Sequence, residues 1–317
     1  AETLRDIGLR QNDGSLLRSS RSTHLRLLRR APWSAAAMVS FLAMPALAQT
    51  PEEDHDLWID VDPEFTLYVY LPEGRIVIAL SKDLAQDHVA RMKALARERY
   101  YDGFPFVRVI PGFISQASDP AEFEEVQAEK RPFTSVPATV DAQFDELFSP
   151  DMAFVGIREP DEFNEQQGYL NGFPVIRSLA EDRIWITGCR LAVGIPRDDD
   201  PDSGTTWFWI SQQNLRRQDR SHTVFGRVID GEEHALLMRP ATPTDPSTWT
   251  VVDSVRVAAD LPAELRTPYR IVDTSSEDFP AHMEILRNHP DPWFLGKPVR
   301  LDNCVGWVAN VDDGGGR

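Results

Sequence analysis

Cysteine is scarce in this 317-residue chain, which contains only two. A small scaffold held together by several disulfides is therefore excluded, and two thiols alone cannot form a metal centre. No two of the seven histidines lie three to five residues apart, so the usual helical zinc spacing is absent. The G-x-S-x-G, P-loop and G-x-G-x-x-G patterns are absent too. We therefore expect neither a metal ion nor a cofactor.

Basic residues are also in deficit, since 33 Lys and Arg face 50 Asp and Glu for a net charge of -17. Nucleic acid binding needs a basic surface, so no nucleic acid partner is expected. Eight Trp and sixteen Phe, within a hydrophobic content of 42%, exclude a chain that is disordered throughout. The length suggests one large domain or two smaller ones.

Long apolar runs are absent except at 35–44, which follows Arg29 and Arg30 and precedes the small residues Ala46 and Ala48. This order is typical of a secretory signal, so we expect 1–48 to be an N-terminal extension and signal peptide that is cut after Ala48. The alternative is a buried or membrane-anchored helix, although the run is shorter than the ~20 residues of a membrane span. The mature protein is predicted to be exported, most simply to the periplasm, without stable membrane insertion.

Apolar periodicity after an acidic lead-in at 49–63, predicted to be flexible, indicates a mainly β protein with two helices. Strands are predicted at 65–70, 75–80, 106–110, 113–116, 185–187, 191–195, 207–210, 224–228 and 250–257, and helices at 81–100 and 231–239. Many short strands with turn signals favour an antiparallel barrel or sandwich.

Two further regions lack this regular pattern. Residues of about 120–184 are rich in Phe, Pro, Asp and Glu, with only weak strand signals near 152–156. We interpret them as a large loop insertion in a domain that covers 64–261. Beyond it, 262–317 forms a predicted small α+β extension with a strand at 269–272 and a helix at 278–288.

Three ordered segments carry a resemblance to a known family. YDGFPFVRVIPGFISQASDP at 101–120 resembles the pattern YDG-x-x-F-H-R-V-I-P-G-F-x-x-Q-G-G-D-P of cyclophilin-type peptidyl-prolyl isomerases. DPDSGTTWFWI at 200–210 and HTVFGRVIDG at 222–231 are similar to two later family segments. The resemblance implies a cyclophilin-like eight-stranded antiparallel barrel capped by two helices, in agreement with the strand and helix pattern.

The resemblance also implies an activity and its residues. Isomerases of this family speed rotation about X–Pro bonds of folding proteins without a cofactor, so proline-containing polypeptides are the expected partners. Arg108 matches the catalytic arginine, whose fixed donors suit the prolyl nitrogen of a twisted amide. The expected substrate-binding residues are Phe113, Ile114, Gln116, Trp207, Trp209 and His222.

Other interpretations stay open at this point. Arg108 on a strand is alternatively an outward charge paired with a carboxylate, and Phe113 and Trp209 are alternatively core residues. A rival function is a non-catalytic peptide-binding or chaperone module, which is favoured by Trp207, by the large Trp209 and by Pro196, which lacks an N–H. A weaker third option is a structural envelope protein.

The two cysteines, Cys189 and Cys304, are predicted to form a disulfide in an oxidising compartment. Such a bond would tie the C-terminal extension to the barrel. The alternative is two free buried thiols.

Overall fold

The computed structural model describes residues 57–163, 165–288, 295–296 and 300–305, and the backbone of 309–311. The predicted signal peptide lies outside the described residues. The strands are β1 (Trp58–Asp60), β2 (Thr66–Leu71), β3 (Gly74–Leu80), β4 (Pro105–Ile110), β5 (Ile114–Ala117), β6 (Glu146–Leu147), β7 (Phe154–Pro160), β8 (Gln166–Leu170), β9 (Phe173–Ser178), β10 (Arg183–Ile186), β11 (Ala192–Gly194), β12 (Phe208–Ser211), β13 (Val224–Asp230), β14 (Thr250–Val251), β15 (Ser254–Val257), β16 (Tyr269–Val272) and β17 (Ala309–Val311). The α-helices are α1 (Gln86–Arg97), α2 (Glu232–Leu236) and α3 (Phe279–Asn288).

The largest sheet has the antiparallel order β14-β4-β5-β12-β11-β13-β3-β2-β15. Its two edge strands are consecutive in sequence and are separated only by Val252 and Asp253. The Val252 N–H donates to the Phe104 carbonyl, whereas the Asp253 N–H donates to the Tyr70 carbonyl, each at 2.9 Å. One bent stretch of chain therefore brings both edges of the curled sheet together. The sheet has nine strands, or eight when β14 and β15 are counted as one interrupted strand at 250–257. The predicted eight-stranded barrel is therefore confirmed.

Side chains that alternate along the strands fill the barrel interior. In β2 and β3 the inward residues include Leu67, Val69, Ile76 and Ile78, all of which are buried in the main core. Helix α1 covers this core with Val89, Met92, Leu95 and Ala96, at the helical spacing seen in the sequence. It begins at Gln86 rather than at the predicted 81, because the Ser81 hydroxyl accepts the Leu84 N–H (3.0 Å) in a preceding turn.

The prediction of a large loop insertion was wrong for its second half. Strands β6 to β10 form a separate antiparallel sheet, here called the insertion sheet, in the order β6-β10-β9-β8-β7. Asn171 and Gly172, with φ of 46° and 84°, make the tight turn between β8 and β9. Asn-Gly between two strands is a strong hairpin signal, and it was available in the sequence. From 123 to 145 the described chain contains no named strand.

The predicted flexible lead-in is also corrected at its C-terminal end. Strand β1 pairs with β16, which in turn pairs with β17 in a three-stranded antiparallel sheet. Leu57 is buried beside Phe279 and Met283 of α3. The strand β16 and the helix α3 lie close to their predicted bounds. The lead-in supplies β1, the strand that pairs with β16 in the small sheet.

A disulfide and several hydrogen bonds attach 300–305 to the rest of the structure. Cys304 is disulfide-bonded to Cys189, 115 positions away, with the Cα atoms 5.4 Å apart. Closing a loop of this length stabilises a fold by roughly 5 kcal/mol in chain-entropy terms. The buried Asn303 amide donates to the Val175 carbonyl and the Thr187 hydroxyl, both at 2.9 Å. The C-terminal segment is thus fixed to the insertion sheet.

None of the described helices is long and apolar enough to cross a membrane.

His88 makes the fold sensitive to acid. Its ring is buried on α1, where Nε2 lies 3.0 Å from the Asp141 carbonyl and Nδ1 has no hydrogen-bond partner among the described residues. A second ring proton would therefore be buried without an acceptor. Burial, with a smaller effect from nearby Arg91, lowers the pKa of His88 to about 4.

Lowering the pH from 7 to 5 is expected to cost about 2 kcal/mol of folding free energy through His88. In the unfolded chain His88 takes up a proton near its ordinary pKa of 6.5, whereas in the folded chain it does so only near pH 4. The contribution of His88 to the free energy of unfolding is therefore fully present above pH 6.5 and is lost as the pH falls toward 4. Urea denaturation at both pH values measures the loss. The His88→Gln variant, which keeps a donor for Asp141 but cannot titrate, should lose about 2 kcal/mol less than wild type. Equal losses would contradict the role of His88.

Candidate functional site

Three of the predicted site residues lie in one row with Gly194, across four neighbouring strands. Arg108 of β4 is paired with Gln116 of β5, Gln116 with Trp209 of β12, and Trp209 with Gly194 of β11. Residues directly opposite each other in a sheet face the same side. This row therefore lies on the outer face of the barrel, opposite the main core.

A bulge in β4 turns Arg108 to this outer face. The register between β4 and β5 shifts between Phe106 and Arg108, which leaves Val107 as the extra residue. Phe106 and Val107 are both fully buried in the main core, and Val109 is buried there as well. Without the extra residue, Arg108 would lie on the same face as Phe106. Bulges beside functional sites commonly redirect a side chain in this way.

The Arg108 guanidinium is half-buried and has no ion pair with any carboxylate in the described parts of the chain. Its Cζ lies 5.9 Å from the centroid of the Phe113 ring. Glu122 lines the same cavity, but its carboxylate pairs with Lys130 at 2.7 Å. The structure therefore does not show the outward ion pair that the sequence left open for Arg108. Its N–H donors remain available.

A cavity of about 270 Å³, here called the arginine cavity, opens beside this guanidinium. It brings together Arg108, Gln116 and Trp207 with Pro196 and Arg197. Trp207 stacks on Phe123, with ring centroids 5.8 Å apart. The Gln116 amide donates to the Ser118 hydroxyl at 3.1 Å. Three of the predicted residues thus line one cavity whose walls are polar and aromatic.

The other predicted residues belong to an apolar cluster or contact it. The cluster consists of the buried residues Ile114, Ala192, Trp209 and Leu215, with Phe113 and Val224 partly buried at its edge. The His222 ring meets the Trp209 ring edge to face, with centroids 6.2 Å apart. Phe113 therefore joins the two groups, because it contacts the cluster and lies beneath Arg108.

Trp209 lies against the backbone of β11. A Cβ added to Gly194 would overlap Cζ2 of the indole and lie 2.7 Å from the Thr223 carbonyl. Only a glycine allows this approach. The indole is 4% exposed, so it forms an inner wall of the cluster rather than an open surface.

His222 contributes an uncharged wall at neutral pH. Burial, followed by the nearby Arg197 charge, lowers the pKa of the imidazole. Its Nδ1 has no hydrogen-bond partner in the described residues. A neutral imidazole suits an apolar cluster better than a charged one.

Several site residues were not among those predicted. Arg197 is held by a hydrogen bond from Nε to the Ser221 carbonyl (2.8 Å), and Phe123 and Leu215 lie in irregular segments. No periodic pattern identifies such positions. Within the described residues, no group of three or more His, Cys, Asp or Glu is placed to hold a metal ion.

Comparisons with known proteins agree with this architecture. The family model "Cyclophilin type peptidyl-prolyl cis-trans isomerase/CLD" matches 66–258. A "Probable peptidyl-prolyl cis-trans isomerase" of Brucella suis biovar 1 (strain 1330) is 30% identical over 173 residues, which cover 54% of this chain and 69% of that protein. "Peptidyl-prolyl cis-trans isomerase B" of Bacillus subtilis (strain 168) is 45% identical over 56 residues, which cover 17% and 39%.

A solved structure is also similar. The crystal structure of cyclophilin AquaCyp293 from Hirschia baltica matches with a TM-score of 0.63 and 24% identity, covering 81% of this chain and 94% of that chain. This likeness shows the fold.

Replacing Gly194 with alanine is expected to lower the free energy of unfolding by about 1–3 kcal/mol, because the added methyl group displaces the Trp209 indole. Denaturant unfolding followed by tryptophan fluorescence measures both the loss and the altered indole environment. Gly296→Ala is the control, since a Cβ there meets nothing within 4 Å. Equal stability of the two variants would show that the indole does not depend on Gly194.

Proposed function

Because the chain belongs to the cyclophilin-type peptidyl-prolyl cis-trans isomerase family, we propose that Arg108 stabilises the twisted X–Pro amide while the apolar cluster holds the proline ring. The family assignment rests on the match over 66–258 and on the relative from Brucella suis. Members of this family are isomerases that act on proline-containing peptides. The residues that perform the reaction here are the proposal.

The reaction makes a particular demand on a protein. Rotation about the amide loses resonance, a barrier of roughly 18–20 kcal/mol, and uncatalysed exchange takes tens to hundreds of seconds. No bond is made or broken. A catalyst must therefore bind the twisted amide more tightly than either planar form.

The observation that carries the proposal is the unpaired guanidinium of Arg108 beside Phe113. In the twisted amide the prolyl nitrogen regains lone-pair character and can accept a hydrogen bond. An always-charged guanidinium with fixed donors can provide that bond, because no described carboxylate is paired with it. Since the planar amide nitrogen is a poor acceptor, the interaction favours the twisted state.

The neighbouring groups have supporting roles in this proposal. Phe113 and Ile114 offer an apolar surface for the pyrrolidine ring, and His222 closes the cluster as a neutral wall. Gln116 is paired with Arg108 across the strands and lines the same cavity, where its amide can hydrogen-bond the peptide backbone. Trp207 provides an aromatic wall beside it.

A non-catalytic peptide-binding module is the second candidate. Trp209 is almost fully buried within the cluster, which reduces the space for a proline ring. Pro196 borders the arginine cavity and has no N–H to donate to a bound peptide. Both features weaken binding contacts on which catalysis depends, and neither removes Arg108.

Arg108→Ala is expected to lower kcat/KM for a short X–Pro peptide by about 10²-fold, as for the loss of a donor to a transition state. Arg108→Lys should restore only part of the rate, because an ammonium lacks the planar set of donors. Cis/trans relaxation followed by a spectroscopic probe measures the rates.

Arg158→Ala is the matched control, since Arg158 is an exposed arginine of the insertion sheet. Equal rates for wild type and Arg108→Ala would refute the role of Arg108. A peptide that binds wild type but is not accelerated by it would favour the second candidate.

We also propose that the protein is exported and cut after Ala48. The basic and apolar order of 1–48 supports this, and the Cys189–Cys304 disulfide suits an oxidising compartment. Mass spectrometry of protein from the periplasmic fraction of an expressing bacterium should find Gln49 as the first residue. An uncut chain that stays with the cytoplasmic fraction would contradict export.

A further inference from the structure

Two parts of the chain outside the barrel reach the apolar cluster. A cavity of about 440 Å³ is lined by Phe113 and Leu215 of the cluster. Its other walls include Glu162, from the turn between β7 and β8, and Asp302, next to the tethered Asn303 and Cys304. The insertion and the C-terminal extension therefore add charged side chains beside the proposed proline site.

A second cavity of about 340 Å³ continues from the first, because both are lined by Arg216 and Arg217. It contains Phe163 and Glu165 from the same turn, and Trp185 of β10. We call the two cavities together the flanking groove. Its members used below are Glu162, Phe163, Glu165, Leu215, Arg216, Arg217 and Asp302.

Asp161 hydrogen-bonds two of the groove residues, Phe163 and Glu165, and also Arg216. Asp161 is 4% exposed, and its Oδ1 accepts the N–H groups of Phe163 (2.9 Å) and Glu165 (2.7 Å). Its Oδ2 accepts a hydrogen bond from Arg216 Nη2 at 2.6 Å. Arg216 Nε also donates to Asp219 at 2.9 Å. These bonds fix the backbone of Phe163 and Glu165 relative to the buried Arg216 side chain.

Carboxylates dominate the charge of the groove. Arg216 lies among three of them, since Asp302 is 3.7 Å from Nη1 in addition to Asp161 and Asp219. Glu162 and Glu165 have no ion pair with any described residue. Arg217 is the single unpaired cation among the described groove residues. The groove is therefore negative, and it presents two free carboxylates beside Phe163.

We propose that the flanking groove binds a lysine or arginine side chain of the substrate polypeptide, a few residues from the isomerised proline. The aliphatic stem would pack on the Phe163 ring, which is 56% exposed, and the cation would meet Glu162 and Glu165. The groove adjoins Phe113 and Leu215, so a chain whose proline lies at the cluster can enter it. This inference rests on the proposed function.

The test uses peptides with a single Ala-Pro bond and one variable residue, Lys or Glu, placed two to six positions away on either side. Wild type is expected to show a kcat/KM at least about 5-fold higher for Lys than for Glu at some position, mainly through KM. The preference should fade in high salt, which screens exposed charges. Equal values at every position would overturn the proposal.

The double variant Glu162→Gln/Glu165→Gln is expected to lose the preference while its rate on a short, uncharged peptide stays unchanged. Glu264→Gln/Glu277→Gln is the matched control, because these carboxylates are exposed and lie outside the groove. A preference that survives the groove substitutions would overturn the assignment.

Phe163→Ala separately tests the aromatic contact and should raise KM for the Lys peptide alone. Leu179→Ala is its control, because Leu179 is a comparably exposed apolar residue of the insertion that lines neither cavity. Equal KM values in the two variants would contradict a contact with Phe163.

Fluorescence anisotropy of labelled peptides separates the two proposals. Tighter binding of the Lys peptide that depends on Glu162 and Glu165 would support the groove even if no peptide were accelerated, in which case only the proposed isomerase activity would fail. Acceleration of short peptides without any Lys preference would overturn the groove alone.

Discussion

The bulge at Val107 is the constraint on which the proposed site depends. Strand β4 must supply Phe106, Val107 and Val109 to the core and still present Arg108 outside it. Strict alternation cannot do both, because Arg108 would then share the inward face of Phe106. Burying that guanidinium in an apolar core would cost several kcal/mol. One extra residue resolves the conflict and places the charge opposite Gln116.

Cross-strand pairing then assembles the site from residues that are far apart in sequence. Arg108, Gln116, Trp209 and Gly194 come from four strands, yet hydrogen-bonded register holds them in one row. The bend at 252–253 brings the edges of the same sheet together. The proposed site depends on register, because a slip of one residue would turn the whole row inward.

The sequence predicted the barrel well, since its strands carry local apolar patterns and its turns carry Gly and Pro. It failed where pairing is not local. Strand β1 finds its partner β16 more than two hundred positions later, and a three-residue strand has no pattern of its own. The insertion sheet was missed because β8 contains two glutamines and a glycine, although Asn171-Gly172 marked its hairpin. The family motifs identified Arg108, Gln116 and Trp207, which line one cavity in the structure. No local sequence signal predicted that Glu162 and Asp302 would lie beside Phe113.

Whether the proposed site catalyses or only binds depends on which form of the X–Pro amide its contacts stabilise, the planar form or the twisted form. In the proposed site, the burial of Trp209 against Gly194 leaves less apolar surface for a proline ring, which would weaken the binding of the planar and twisted forms alike. A guanidinium that meets the nitrogen only when resonance is lost acts on the twisted form alone. A proposed proline site with little free apolar surface and an unpaired Arg108 is therefore compatible with catalysis of weakly bound substrates. Contacts with the substrate residues that flank the proline, rather than stronger contacts with the proline ring itself, would then provide the affinity for the substrate.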